Sequence, residues 1–186
     1  IDFPQLIGKV RGNGTDFKWF GELQAASAKS PNGTLASLFI SDAVAEYKDK
    51  QFSADFGTLR AGKFTSEDLI AENIRTQNLK FSTVNGVTNI NAPNVQANVV
   101  KAEGVEIGGV NANGVKVVNN GGKTSAEINN LQAKNLRTAD AQLNNVKANG
   151  VNVTSQNGST DVQAKNVEAD GLNAENTKVN GLKAGE

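Results

Sequence analysis

The feature that most constrains this chain is the spacing of its tight turns. Two-residue turn candidates fall at Asn13-Gly14, Asp49-Lys50, Asn85-Gly86, Gly121-Gly122 and Asn157-Gly158, each 36 positions after the last. Runs of Val, Thr and Ile flank several of them, as in VNGVTNI over 84–90. Asn-Gly between such runs marks a β-hairpin, because a type I′ turn needs positive φ at both central residues. Recurrence at a fixed period marks a repeat architecture. The chain therefore divides into a lead-in, 1–6, and five units, 7–42, 43–78, 79–114, 115–150 and 151–186, in one continuous domain. The first unit is divergent and aromatic-rich, which makes it a candidate cap.

A second column confirms the period without using the turns. Leu23-Gln24-Ala25, Leu59-Arg60-Ala61, Val95-Gln96-Ala97, Leu131-Gln132-Ala133 and Val167-Glu168-Ala169 are equivalent, so an aliphatic residue and an alanine two apart recur in every unit. Around each turn the register follows by arithmetic. It sets Phe81 opposite Ile90, Leu79 opposite Ala92, Val115 opposite Ile128, Val117 opposite Ala126, Val151 opposite Ala164 and Val153 opposite Val162. In the second unit Ala43 faces Phe56 and Ala45 faces Ala54, so the apolar residues share one face. Toward the tips the pairs turn polar, with Thr83 against Thr88, Asn119 against Thr124 and Ser155 against Thr160. Tyr47 against Phe52 is an apolar exception, and Arg11 against Asp16 is an expected surface pair.

Beyond each hairpin lies a run of five-residue steps, clearest in LQAKN LRTAD AQLNN VKANG over 131–150. The first position of a step is usually Val or Leu, the third small or aliphatic, and the fifth Asn, Asp or Gly. Neither a helical period nor unbroken alternation produces that pattern. It reads as pairs of inward residues with a corner after each, where Asn and Gly tolerate the left-handed conformation.

These steps resemble the pentapeptide-repeat β-solenoids, although that family puts the small residue first and Leu second, and lacks the hairpin section. The resemblance implies a stacked coil. More loosely, the Val-x-Ala-x-Gly tracts over 59–186 are similar to repeat segments of large bacterial secreted or toxin-carrier proteins.

The fold class is all-β, and two stackings are open. In a β-solenoid of five 36-residue units, each a hairpin plus four five-residue steps, Leu59, Val95, Leu131 and Val167 would form a continuous ladder about 4.8 Å apart. In the alternative, the hairpins pair within themselves and build an elongated antiparallel sandwich or groove. The tight turns favour the antiparallel version and the five-residue steps favour the coil.

Composition limits the chemistry. The chain has no His and no Cys, which removes the usual zinc, haem and copper ligands and the Ser-His and Cys-His nucleophiles. Lys plus Arg equals Asp plus Glu at 19 each, so no net field recruits nucleic acid or anionic lipid. No apolar run approaches the length of a membrane span. Carboxylates remain: Glu67, Asp68 and Glu72 form the densest group, and Asp161, Glu168, Asp170 and Glu175 are spread along the last unit. They fall mainly at outward or corner positions and read as solvated surface. Gly108-Gly109 and Gly121-Gly122 lack the lysine and helix of a phosphate-binding loop and read as corners. No catalytic, cofactor-binding or metal-binding residue is assigned and no cofactor is expected.

All ten aromatic residues lie between Phe3 and Phe81. Phe17, Trp19 and Phe20 form the conspicuous cluster, with Phe17 and Trp19 on one strand face and Phe20 on the other. They either close the N-terminal end of the core or form a docking surface for a partner.

The expected function is structural: a non-enzymatic spacer, scaffold or carrier segment of a larger bacterial assembly, exported, extracellular or attached to the cell envelope. A binding module for carbohydrate or protein and a lipid-conducting β-groove are the alternatives. A groove requires a trough lined continuously by large aliphatics, whereas half of these inward columns are alanine. With Ile at its first position the chain is expected to be processed or a fragment. Its partners are expected to be other domains or subunits, reached end to end or through the C-terminal unit.

Overall fold

The 36-residue period contains two equal steps, one strand to each. The computed structural model describes residues 5–13, 16–30, 33–67, 69–102, 104–156, 159–174 and 177–185. Eleven strands follow in chain order: β1 (Gln5–Asn13), β2 (Asp16–Ser30), β3 (Gly33–Lys48), β4 (Gln51–Thr65), β5 (Leu69–Val84), β6 (Val87–Ala102), β7 (Val105–Asn120), β8 (Lys123–Arg137), β9 (Ala141–Gln156), β10 (Ser159–Ala174) and β11 (Thr177–Ala184). From Gly33 to Thr177 the strand starts are evenly spaced, at half the period of the turns. Every strand pairs antiparallel with its neighbour in sequence, which gives one open sheet in the order β1 to β11. Among the described residues no strand contacts any strand except those neighbours, and no helix is long and apolar enough to cross a membrane.

The tight turns therefore win over the parallel coil. In an antiparallel sheet equivalent residues of successive units lie two strands apart, about 9.6 Å rather than 4.8 Å. Leu59, Val95 and Leu131 alternate with Thr76, Ala112 and Ala148 in one row across the sheet. In the neighbouring row the sizes reverse, with Ala61 beside Ile74, Ala97 beside Val110 and Ala133 beside Val146. Large and small side chains thus form a checkerboard, which fills space without voids. The alanines are its most covered members: Ala25, Ala61, Ala97, Ala133 and Ala169 are all under 9% exposed.

Only some of the five-residue steps are bends within these strands: in 131–150 Asn145 and Gly150 are left-handed, whereas Asn135 stays in the β8 ladder and Asp140 lies in the turn before β9. Two lines of interruption cross the sheet where facing residues leave the ladder, at Ser37, Asn73, Gly109 and Asn145 and again at Asp42, Asn78, Gly114 and Gly150. All eight have positive φ and all lie on odd-numbered strands. A strand normally returns a side chain to the same face every two residues. A left-handed residue re-phases that alternation on its own strand and on the strand it faces, so inward positions on β8 run Thr124, Ala126, Ile128, then Leu131, Ala133, then Leu136. The facing residues make room for the bend. A side chain at Gly62 or Gly57 would collide with Ser37 or Asp42, and one at Gly109 with Lys134. Elsewhere the bend is bonded, with Asn145 Nδ2 donating to Asp170 Oδ2 at 2.8 Å. Pro93 faces Asn78 and Gly114 on the second line, where its missing N–H leaves no ladder bond unmade.

Most expected hairpin pairs are present, including Phe81 with Ile90, Val115 with Ile128, Val153 with Val162 and Ala43 with Phe56. Leu79 with Ala92 and Val151 with Ala164 are not ladder pairs, because each adjoins a bend. Arg11 faces Lys18 rather than Asp16, and Asn13 faces Asp16. The register of β1 on β2 is therefore shifted from that expected, and a register shift between Gly21 and Leu23 follows in the pairing of β2 with β3.

The accessible surface is 12115 Å², against roughly 8,500 Å² for a compact monomer of this mass. A single sheet with a thin core on one face accounts for the difference. Most large aliphatics on that face are half-buried, Ile40 and Val151 are buried at 6% exposure, and among the described residues no large side chain is fully enclosed.

Candidate functional site

Turn chemistry behaves as the backbone requires. Asn85 and Gly86 have φ of 49° and 78°, and Asp49 and Lys50 have 50° and 61°, so both turns are left-handed at both positions as type I′ demands. Gly121 has φ 58°, and the Gly122 N–H bonds back to the Asn120 carbonyl at 2.6 Å. Gly14, Asn157 and Gly158 lie outside the described residues. At the opposite ends of the hairpins Gly104, with φ 80°, serves the turn between β6 and β7, and two other turns have no glycine. Ser66 and Leu69 close one through reciprocal hydroxyl and backbone bonds, and Thr138 and Ala141 close the equivalent turn two units later.

The aromatic cluster is split between two faces, as strand alternation requires. Phe17 is opposite Tyr47, their rings stacked 5.9 Å apart, and Trp19 is opposite Ala45. Phe20 is on the other face under the Lys18 ammonium, 5.4 Å from the ring centre. Phe17 and Phe20 are about two-fifths exposed. The Trp19 indole occupies the space that Gly8 leaves empty, with its Nε1 buried and unpartnered. The three residues therefore present one exposed ring on each face and a tryptophan anchored between β1 and β3.

The carboxylates are dispersed. Glu72 pairs with Lys63 at 3.5 Å, Glu168 with Lys183 at 3.1 Å and Asp161 with the Gln163 amide at 3.0 Å. Glu67 lines a shallow hollow of about 380 Å³ at one end of the hairpins, with Ser66, Lys101 and Glu106. There Lys101 and Glu106 meet at 2.9 Å. Their hydrogen bond and mutual charge hold the Glu106 carboxyl below its ordinary value and the Lys101 ammonium above. Asp68 and Glu175 lie outside the described residues. Among the described residues no three metal-ligating side chains gather. Gly109 and Gly121 serve as bend and turn residues, and Gly108 leaves room for the Asn135 side chain.

The polar face of the middle segment has an order of its own. The Asn94 amide donates to Asn111 at 3.0 Å and to Asn113 at 2.6 Å. On the same face Arg60 and Arg75 are direct cross-strand partners, flanked by Phe39 and Gln96. Sequence reasoning passed over this row because Arg75 lies outside the repeating column that contains Arg60. Once the strands are known to pair in sequence order, the register alone would have found it.

No family model matches the chain, and no curated protein or solved structure is significantly similar to it.

Proposed function

We propose that the protein is a structural repeat segment, a spacer or scaffold that extends by adding strands to its edges and catalyses no reaction. The observation that carries this reading is the even strand step, in which each strand leans only on its neighbours in sequence. Such an array has nearest-neighbour energetics, so length can be changed without redesigning a central core. Each 36-residue unit adds about 9.6 Å, two strand widths.

Among the described residues β11 pairs with Val167–Ala174 of β10, and Ser159–Gln163 pair with β9. In the proposed assembly strands of the same kind continue the row, and the exposed rings of Phe17 and Phe20 meet a neighbouring domain. The work is done outside the cytoplasm, in an exported or envelope-attached assembly of a bacterium.

Electron microscopy with sedimentation tests the proposal. Rods that lengthen by about 9.6 Å for each inserted repeat unit, two strand widths, and that join end to end are expected. A compact monomer whose length does not change when a repeat unit is inserted would overturn it.

A further inference from the structure

We propose that the polar face of β3–β6 contains a binding site for an acidic polysaccharide, with Arg60 and Arg75 as its anion clamp. The site runs across four adjacent strands at one level: Phe39 on β3, Arg60 on β4, Arg75 on β5 and Gln96 on β6, each the direct partner of the next. Like charges placed directly opposite each other destabilise a sheet. Here two guanidiniums face each other with no acid between them.

The carboxylates of these strands are placed elsewhere. β3 has Asp42 and Glu46, β4 has Asp55, β5 has Glu72, and β6 has none. Glu46 pairs with Lys18 at 3.7 Å, Glu72 pairs with Lys63 at 3.5 Å, and Asp55 stands opposite Lys80. Asp42 sits at a bend and receives the Ser41 hydroxyl at 3.4 Å. Neither arginine has an ion pair or side-chain hydrogen bond with any of them.

The surroundings suit a sugar chain rather than a lone ion. A depression of about 520 Å³ over this row is lined by Thr58, Arg60, Arg75, Gln77, Asn94 and Gln96. The guanidiniums offer planar, bidentate recognition of a carboxylate or sulfate, and the hydroxyl and amides can bond ring hydroxyls. Phe39 is the aromatic on this face of β3, since Leu38 and the buried Ile40 on either side of it face inward. Beside Arg60 it gives an apolar ring on which a pyranose can stack. Four strands span about 14 Å, which is the reach of two to three linked sugars.

Isothermal titration calorimetry on the whole chain provides the test. The probes are an oligogalacturonate and a heparin-derived hexasaccharide, with a neutral cello-oligosaccharide and inorganic sulfate as controls. At least one acidic oligosaccharide should bind, weakening as salt rises. R60Q/R75Q should weaken it by roughly thirtyfold or more, as expected for two lost charge-assisted contacts. F39S should weaken it several-fold, and K134Q/K147Q, which removes the same charge farther along the sheet, should change it less than about twofold. The double variant should fold normally because it relieves a like-charge contact. Should its circular dichroism show otherwise, R75Q alone should weaken binding about tenfold. The proposal fails if neither acidic chain binds, if the neutral chain binds as well, if the lysine control weakens binding equally, or if inorganic sulfate competes as effectively as the oligosaccharide.

Discussion

The two halves of the sheet use one backbone plan with different fillings. In β2–β5 the inward face contains Phe17 stacked on Tyr47, and Phe52 edge-on to Phe81 at 5.8 Å. From β6 onward there are no aromatics, and Val, Leu, Ile and Ala cover the same rows. Yet Ala61 on one side and Ala97 and Ala133 on the other are buried alike, at 3%, 8% and 7% exposure. Strand length, register and bends are shared too. Turn spacing and left-handed bends therefore set the architecture, and side-chain bulk sets how strongly each half is held.

That comparison can be broken most directly by truncating the fillings. Phe81→Ala should lower stability by about 3 kcal/mol and Leu131→Ala by about 2 kcal/mol, read from urea unfolding of each variant. Equal losses would mean that the aromatic half has no extra strength. Enlarging the checkerboard comes next: Ala133→Leu should cost about 1–3 kcal/mol by overpacking. Hydrogen exchange should show the loosening centred on β7–β9, the strand and its neighbours.

The bends should cost the same in both halves. Asn78→Ala and Gly114→Ala, at equivalent bends with φ of 53° and 64°, should each lose about 1–2 kcal/mol by forcing alanine into the left-handed region. Thermal melts that left either variant unchanged would mean that the bend is not fixed by that residue. Thr76 tests the filling in the opposite direction. It is 7% exposed, its hydroxyl is unpartnered, and it occupies a position equivalent to Ala112 and Ala148. Thr76→Val should raise stability by about 1 kcal/mol, so a lowered melting temperature would show that the hydroxyl has a role.

The smallest effect belongs to Lys101 and Glu106. Because the folded-state pKa of Glu106 is lowered, its contribution is present above the unfolded carboxylate pKa and is lost as pH falls through the folded value. The raised pKa of Lys101 gives a contribution present below its unfolded value and lost as pH rises through the folded one. Both groups are exposed, so the difference between wild type and Glu106→Gln in acid titration should be slight and should vanish in high salt.

Much of this fold was legible because its signals are local. Asn85-Gly86 declares its own turn, and the pairing of Phe81 with Ile90 follows by counting. The alanines of the 25, 61, 97, 133 and 169 column stand out by their 36-residue spacing, and all are buried. The turns between β4 and β5 and between β8 and β9 were missed because a Ser or Thr hydroxyl closes them in place of a glycine. As a result each strand pair was divided into a hairpin and a separate coil. The Arg60 and Arg75 row was missed for a related reason: it exists only between strands, and only in one stacking. The aromatic trio was visible as a cluster, but not that Gly8 makes room for Trp19.

By itself the sequence determined that the chain is all-β, that it repeats, and where its Asn-Gly turn at 85–86 lies, because those properties reside in single residues and their spacing. Tertiary structure decided whether equivalent residues stack one strand apart or two. That choice depends on which backbone donors meet which acceptors across the gap, and the same periodic sequence is compatible with both answers. From it follow the checkerboard of large and small side chains and the pairing of two arginines that no reading along the chain places together.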